Sequence, residues 1–194
     1  MELNGKKIIL ASTSPRREAI LAGMDIEFTK EPKTHFIEHY KDDTPSEMIP
    51  ILMSEGKSEG FHRRLGKNEV LITADTMVIL DGLALGKPHH SSEAYEMLGK
   101  LSGKRHSVVT AVTLRDSKHK KTFIETSYVY FNDLGKEEIK YYVDKYKPFD
   151  KAGAYGIQEW IGSIGISRIE GSFDNVAGLP GAKLYQELKE FVKG

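Results

Sequence analysis

The chain contains no cysteine among its 194 residues, which excludes disulfides and thiolate metal sites and fits a reducing compartment. It has no surplus of either charge, with 28 basic and 28 acidic residues, so no global field draws it to a nucleic-acid polymer or an acidic membrane. Any anion site must therefore be local. No apolar run approaches the roughly 18 residues that span a bilayer, and the opening M-E-L-N-G-K-K lacks the apolar stretch of a signal peptide. The expectation is a soluble cytoplasmic protein. Repeats, low-complexity tracts and linkers are missing as well, and at 39% hydrophobic the chain can bury a core as one large domain or two tightly joined lobes.

The most informative stretch is L-A-S-T-S-P-R-R at 10–17. Ile8-Ile9-Leu10-Ala11 reads as a buried strand, and Ser14-Pro15 then supplies an N-cap and an N1 proline, placing Arg16 and Arg17 in the first helical turn. Free amides and the helix dipole make that turn locally positive, so two arginines there conflict with local electrostatics. An anion removes the conflict: the amides, the Ser12 and Ser14 hydroxyls and two guanidinium groups form a phosphate cradle. On these grounds alone the alternative is a solvated, basic helix start.

Further along, the pattern alternates between element types. The first helix runs from Pro15 to Ala22 and stops at Gly23, and Ile26–Thr29 follows as a short strand. Thr44-Pro45-Ser46-Glu47 reads as a capping box opening a helix to about Arg64, with Pro50 predicting a kink or a late true start. Two apolar runs from Val70 to Leu85 flank Asp81-Gly82, a two-residue hairpin signal. A helix over 92–101 carries Ala94, Met97, Leu98 and Leu101 on one face and ends before Gly103. His106–Leu114 and Thr122–Phe131 predict a longer hairpin around 116–119. Gly135–Lys147 reads as a helix, 161–169 as a strand, and 182–192 as the last helix. Hairpins mixed with crossovers imply a mixed α/β fold, a central mixed β-sheet flanked by helices.

Chemistry concentrates where apolar strands end in polar residues. Asp75, in Ala74-Asp75-Thr76, interrupts two hydrophobic strands, and a carboxylate there is costly unless paired, hydrogen-bonded or metal-bound. The alternative is a structural Asp accepting backbone bonds at a bulge. An aspartyl-phosphate phosphatase would place a second acid at 77, which is Met77. Leu85-Gly86-Lys87-Pro88 is not a Walker motif, because Pro88 replaces the magnesium-binding hydroxyl, yet Lys87 can reach a phosphate as a point charge; otherwise it is a solvated lysine. In 148–158, small residues flank the Asp150-Lys151 pair and Gln158, whose amide can match a base edge; a tight turn with a surface ion pair is the other reading. His89-His90 reads as a solvated pair.

Six ordered blocks resemble the Maf proteins, nucleoside triphosphate pyrophosphatases: L-A-S-T-S-P-R-R at 10–17, A-D-T at 74–76, L-G-K-P at 85–88, G-K-R-H-S-V-V-T at 103–110, D-K-A-G-A-Y-G-I-Q at 150–158 and N-V-A-G-L-P at 175–180. The resemblance covers nearly the whole chain. It implies one Maf-like domain over 1–194, with two closely joined lobes around a cleft as in Maf and ITPase-like proteins, and a homodimer. It also implies hydrolysis of the α–β phosphate bond, releasing pyrophosphate and a monophosphate with Mg²⁺ or Mn²⁺. On this likeness Asp75 is the general base or metal-bound carboxylate, and Glu38, in H-F-I-E-H, helps to bind the metal. Arg16, Arg17, Lys57 and Lys87 hold the triphosphate, and Ser12 and Lys151 join the substrate-binding set. The block at 150–158 is similar to that of the dTTP/UTP branch and not the 7-methyl-GTP branch, with Arg16, Thr76 and Gln158 at the positions associated with substrate choice. Glu159 and Trp160 depart from the family pattern, which more often has glycine after the glutamine. A nucleotide-binding regulator of septum formation with little hydrolysis is the competing reading, and a phosphomonoesterase a third; a water-activating Asp75 separates the first from a hydrolase, and the product separates the second.

Overall fold

The computed structural model describes residues 3–193. The apolar run at 8–10 forms β1 (Lys7–Leu10), and α1 (Pro15–Ala22) starts on its proline as expected. Strand β2 (Phe28–Lys30) begins two residues later than the pattern suggested. The second helix starts late: a short 3₁₀ turn at Ser46–Met48 precedes α2 (Ile49–Glu59), so Pro50 falls in the first turn, where its missing N–H costs nothing. Gly60 ends that helix, short of Arg64.

Asp81 and Gly82 both adopt positive φ, 51° and 81°, the left-handed pair that a type I′ turn needs to join β3 (Glu69–Leu80) to β4 (Leu83–Leu85). Helix α3 (Ser91–Leu101) precedes the long hairpin of β5 (Arg105–Arg115) and β6 (Lys120–Phe131), and α4 (Lys136–Tyr146) follows. His90, although exposed, caps α3 by accepting from the Glu93 amide, a role missed in reading it as merely solvated.

The stretch 161–169 corrects the sequence reading. Its first half is helical, α5 (Trp160–Gly165), and only Ile166–Glu170 forms a strand, β7. Gly162 shows why a strand pattern misled: a Cβ there would fall 1.9 Å from the Ile157 carbonyl oxygen, so the glycine marks a helix packed hard on the preceding turn. Helix α6 (Phe173–Ala177) was not anticipated, and α7 (Gly181–Phe191) closes the chain. Among the described residues no helix is long and apolar enough to cross a membrane.

The strands form one mixed sheet in the order β2-β1-β3-β5-β6-β7, with β1 parallel to both neighbours and the remaining pairs antiparallel. Strand β3 organises the site. Strand β5 covers one of its edges from Leu71 to Ile79 without a bulge. Its other edge carries β1 as far as Ile72 and β4 only from Val78 onward, leaving a gap over 73–77. Helix α2 covers one face through Ile49 and Met53 against Met77, Ile79 and Val109. On the opposite face, Val70, Ile72 and Ala74 join a cluster with Leu21, Leu184 and Leu188, whereas Val78 and Leu80 join another with Leu98, Tyr142 and Val143. Between the two clusters lies a polar seam, the register pair Thr76 and Thr110, whose hydroxyls are 3.0 Å apart.

Candidate active site

The cleft opens where β3 lacks an edge partner. Successive side chains of a strand face opposite sides, so Asp75 points toward α2 while Thr76 points into the seam, and both line one cavity of about 350 Å³. Carbonyls alternate between edges in the same way; Ile72 O accepts from the Ala11 amide, so Ala74 O faces the gap. The guanidinium of Arg17 takes the place of the absent strand: Nη1 donates to Ala74 O at 2.9 Å, Nε to Gly178 O at 2.7 Å and Nη2 to Thr76 Oγ1 at 3.1 Å. Burial lowers its pKa, opposed by the nearby Asp75. Arg17 thus fastens the gap and spends three donors doing so, a structural duty that its place beside Arg16 did not announce.

Asp75 is 8% exposed. Its Oδ1 accepts from Lys57 Nζ at 2.6 Å, and the same ammonium lies 2.7 Å from Glu38 Oε1. Lys57 reaches this point because α2 is fixed to the sheet by buried hydroxyls: Thr73 donates to Ser54 O at 2.8 Å, and Ser54 Oγ lies 2.9 Å from Thr113 Oγ1. Each such bond contributes about 1 kcal/mol. Glu38 arrives on a segment clamped to the same helix, where Thr34 donates to Gly60 O at 3.0 Å and Phe36 lies over Gly56. Desolvation pushes the Glu38 carboxyl up, but the Lys57 hydrogen bond and charge, with Lys87 and Arg17, more than offset it and leave it below its ordinary value.

A second charged group comes from the segment after α4. Asp150 bridges Arg16 Nη1 at 3.0 Å and Lys151 Nζ at 2.6 Å, and Lys151 also lies 3.1 Å from Glu159 Oε1. Desolvation raises the Asp150 pKa, yet the bonds to Lys151 and Arg16 outweigh it and hold the group low. Ser12, buried, accepts from the Ser14 amide at 3.1 Å; Ser14 stands at the N-cap position of α1, but its hydroxyl caps nothing.

Of the residues singled out in the sequence, Ser12, Arg16, Arg17, Glu38, Lys57, Asp75, Thr76, Lys87 and Lys151 all line this cavity. Gln158 does not: its side chain is exposed, beside a second groove with Ser163 and Phe173. The backbone turns outward just after Ile157, which is itself buried against the cavity. Sequence reasoning missed Tyr155, Val78, Val108 and Val176, which give the cavity one apolar end. Val78 and Val108 were signalled only by strand alternation, which marks core and pocket wall alike, and Tyr155 and Val176 lie outside the strands, in the turn after Ala154 and in α6.

Five cations, Arg16, Arg17, Lys57, Lys87 and Lys151, therefore share the cleft with three carboxylates, Glu38, Asp75 and Asp150. The arrangement suits a polyanion at the charged end and a flat apolar group at the other. Glu38 and Asp75, held on one ammonium, are oxygen donors of the kind that hard divalent cations select. No group of three potential ligands occurs among the described residues, so further ligands would be phosphate oxygens and water, the usual pattern for Mg²⁺.

The Maf-like protein family pattern matches residues 7–191. The dTTP/UTP pyrophosphatase of Parabacteroides distasonis is 50% identical over 186 residues, covering 95% of this chain and 96% of that protein. The dTTP/UTP pyrophosphatase of Bacteroides thetaiotaomicron is 48% identical over 188 residues, covering 97% of each. The solved structure of the Staphylococcus aureus Ham1 protein aligns over 96% of this chain and 99% of its own, at 18% identity and a TM-score of 0.48. With the family pattern spanning the sheet, the gap in β3 and every residue of the cleft, this chain belongs to the Maf-like proteins.

Proposed function

We propose that the chain hydrolyses the α–β phosphate bond of dTTP and UTP, releasing pyrophosphate and the monophosphate. The observation that carries the reading is the Asp75 carboxylate, nearly buried at 8% exposure, in a cleft where cations outnumber acids five to three. The names of the relatives and the geometry support the same chemistry. A triphosphate whose terminal group is ionised near neutral pH carries about four negative charges, and the surplus cations with one divalent metal would balance it.

Asp75 and Glu38 would hold Mg²⁺ or Mn²⁺, which supplies positive charge to the phosphoryl oxygens. Asp75, alone of the carboxylates in being seated on the strand that floors the gap, takes the proton from the attacking water. Lys57 and Lys87 face the phosphate oxygens on that side, and Arg16 and Lys151 on the other. Charge on those oxygens grows in the transition state, so fixed cations contribute more there than to ground-state binding. The base occupies the end formed by Val78, Val108, Tyr155, Ile157 and Val176. Gln158 reads the base edge only if its side chain turns inward, so substrate choice rests more on Arg16 and Thr76. A nucleotide-binding regulator has no use for a water-activating acid in this position.

The test is incubation with a panel of nucleoside triphosphates and Mg²⁺ or Mn²⁺, assayed for pyrophosphate and orthophosphate. Pyrophosphate from UTP and dTTP is expected. Orthophosphate alone, or no product with any nucleotide, sinks the reading.

A further inference from the structure

From the cleft wall runs a chain of alternating charge that ends on a residue outside it. Arg16, Asp150, Lys151 and Glu159 follow one another through contacts of 3.0, 2.6 and 3.1 Å. Glu159 then accepts a hydrogen bond on Oε2 from the Tyr142 hydroxyl. Tyr142, on α4, is fully buried, and its oxygen also accepts from the Gly156 amide at 3.0 Å. The hydroxyl is thereby fixed from both sides, with its proton committed to Glu159. Gly156 lies beneath the pair: a Cβ there would meet the Glu159 carboxylate at 2.9 Å and Lys151 Cε at 3.0 Å. Lysine stem and carboxylate cross the backbone where glycine leaves room.

A lysine is a point charge on a flexible four-carbon stem, and with Asp150 as its only partner it would fold onto the adjacent residue's carboxylate. Two carboxylates pulling from different sides hold the ammonium between them, and the one anchored to the core sets where it rests. We propose that Glu159 and Tyr142 are positioning residues for the proposed reaction, holding Lys151 at the cleft so that its ammonium meets the triphosphate. The inference rests on reading Lys151 as a phosphate-facing cation.

Its consequence has a sign that simple electrostatics would reverse. Removing the negative charge of Glu159 beside a cationic cleft should tighten anion binding if charge alone mattered, whereas losing the anchor weakens it. The experiment compares wild type, Glu159→Gln, Tyr142→Phe and Lys151→Met, and each of the first two substitutions combined with Lys151→Met. Inorganic tripolyphosphate binding is measured by calorimetry and UTP turnover by pyrophosphate release. Glu159→Gln is expected to weaken tripolyphosphate binding about tenfold and raise KM for UTP similarly, with kcat within about twofold of wild type. Tyr142→Phe, which keeps the ring in the core, shifts both the same way by about threefold. Neither substitution adds to the effect of Lys151→Met. Unchanged or tighter tripolyphosphate binding, effects that multiply with Lys151→Met, or no tripolyphosphate binding by wild type overturns the proposal. If Glu159→Gln does not fold, Tyr142→Phe decides by the same measurements. A wild type that binds tripolyphosphate with this pattern yet releases no pyrophosphate from UTP defeats the proposed function and leaves the positioning role standing.

Discussion

Two of the three lysines that line the cleft are each gripped by two carboxylates, but the grips differ in what lies behind them. Lys57 stands 2.6 Å from Asp75 and 2.7 Å from Glu38, and both acids line the cavity. Lys151 stands 2.6 Å from Asp150 and 3.1 Å from Glu159, and Glu159 is tied to Tyr142 outside the cavity. Breaking a buried ion pair by removing one partner is costly, because it strands the other charge. At Lys57 the stranded charges would face the cavity, where another cation can reach them. At Lys151 one stays hydrogen-bonded in the core. The first grip is therefore exchangeable and the second a fixture.

The largest expected effect breaks the first grip at its acid. Asp75→Asn keeps the shape and a hydrogen-bonding oxygen but cannot take a proton. It should lower kcat by about a thousandfold, within the range general bases supply, while nucleotide binding measured by calorimetry persists. Turnover near the wild-type rate would remove Asp75 from the chemistry.

Next comes Lys57→Met, which leaves Asp75 and Glu38 without their shared cation. Without metal it should destabilise the fold by about 3 kcal/mol, as removing one partner of a buried pair does. Millimolar Mg²⁺ should then raise its melting temperature by more than it raises that of wild type, since a bound ligand stabilises by mass action. Lys151→Met should show no such rescue. Equal responses of the two variants to Mg²⁺ would erase the distinction between the grips.

The two grips also differed in how far the sequence disclosed them. Asp75 was legible because a carboxylate inside an apolar strand violates a strong rule, and Asp81-Gly82 because few other pairs accept two left-handed residues. Arg16 and Arg17 were legible as a conflict with the helix dipole, although Arg17 turned out to fasten an unpaired strand edge, which only the sheet order reveals. Glu159 carried no signal beyond its departure from the family pattern, since its partners lie 8 and 17 positions away and meet it only in three dimensions. The helix at Trp160–Gly165 hid behind an alternation imposed by close packing of glycines, and α6 behind its five-residue length, although Ser172 caps it and Gly178, at φ 116°, stops it.

Glycine substitutions sharpen the contrast further. At Gly56, a Cβ would meet the Phe36 ring at 2.3 Å, and that ring belongs to the segment that delivers Glu38. Gly56→Ala should cost about 2 to 3 kcal/mol in urea denaturation, the upper part of the range for overpacking. At Gly156 the obstructing atoms are the side-chain ends of Glu159 and Lys151, which can shift without moving backbone or a packed ring, so Gly156→Ala should cost less than about 1 kcal/mol while raising KM for UTP. Similar stability losses at the two sites would mean that the Lys151 grip is as deeply built as the loop over α2.

A last effect separates the two grips by pH. His106 is 2% exposed, with Nε2 2.7 Å from the hydroxyl of Tyr155 and Nδ1 unpartnered among the described residues. Burial lowers its pKa to about 4 and pushes that of Tyr155 up. The folded state therefore refuses a proton that the unfolded chain accepts near pH 6.5, so this contribution is complete above that value and is lost as pH falls toward about 4. Between pH 8 and pH 5 the loss comes to about 2 kcal/mol, above the range where the lowered carboxylates Glu38 and Asp150 take up protons. His106→Gln, which keeps a polar group for Tyr155, should flatten the stability difference between urea denaturation curves at those two pH values. Tyr155 belongs to the segment that carries Lys151 and Glu159, so the acid-induced loosening falls on the anchored grip, and a variant that loses as much stability as wild type would place its origin elsewhere.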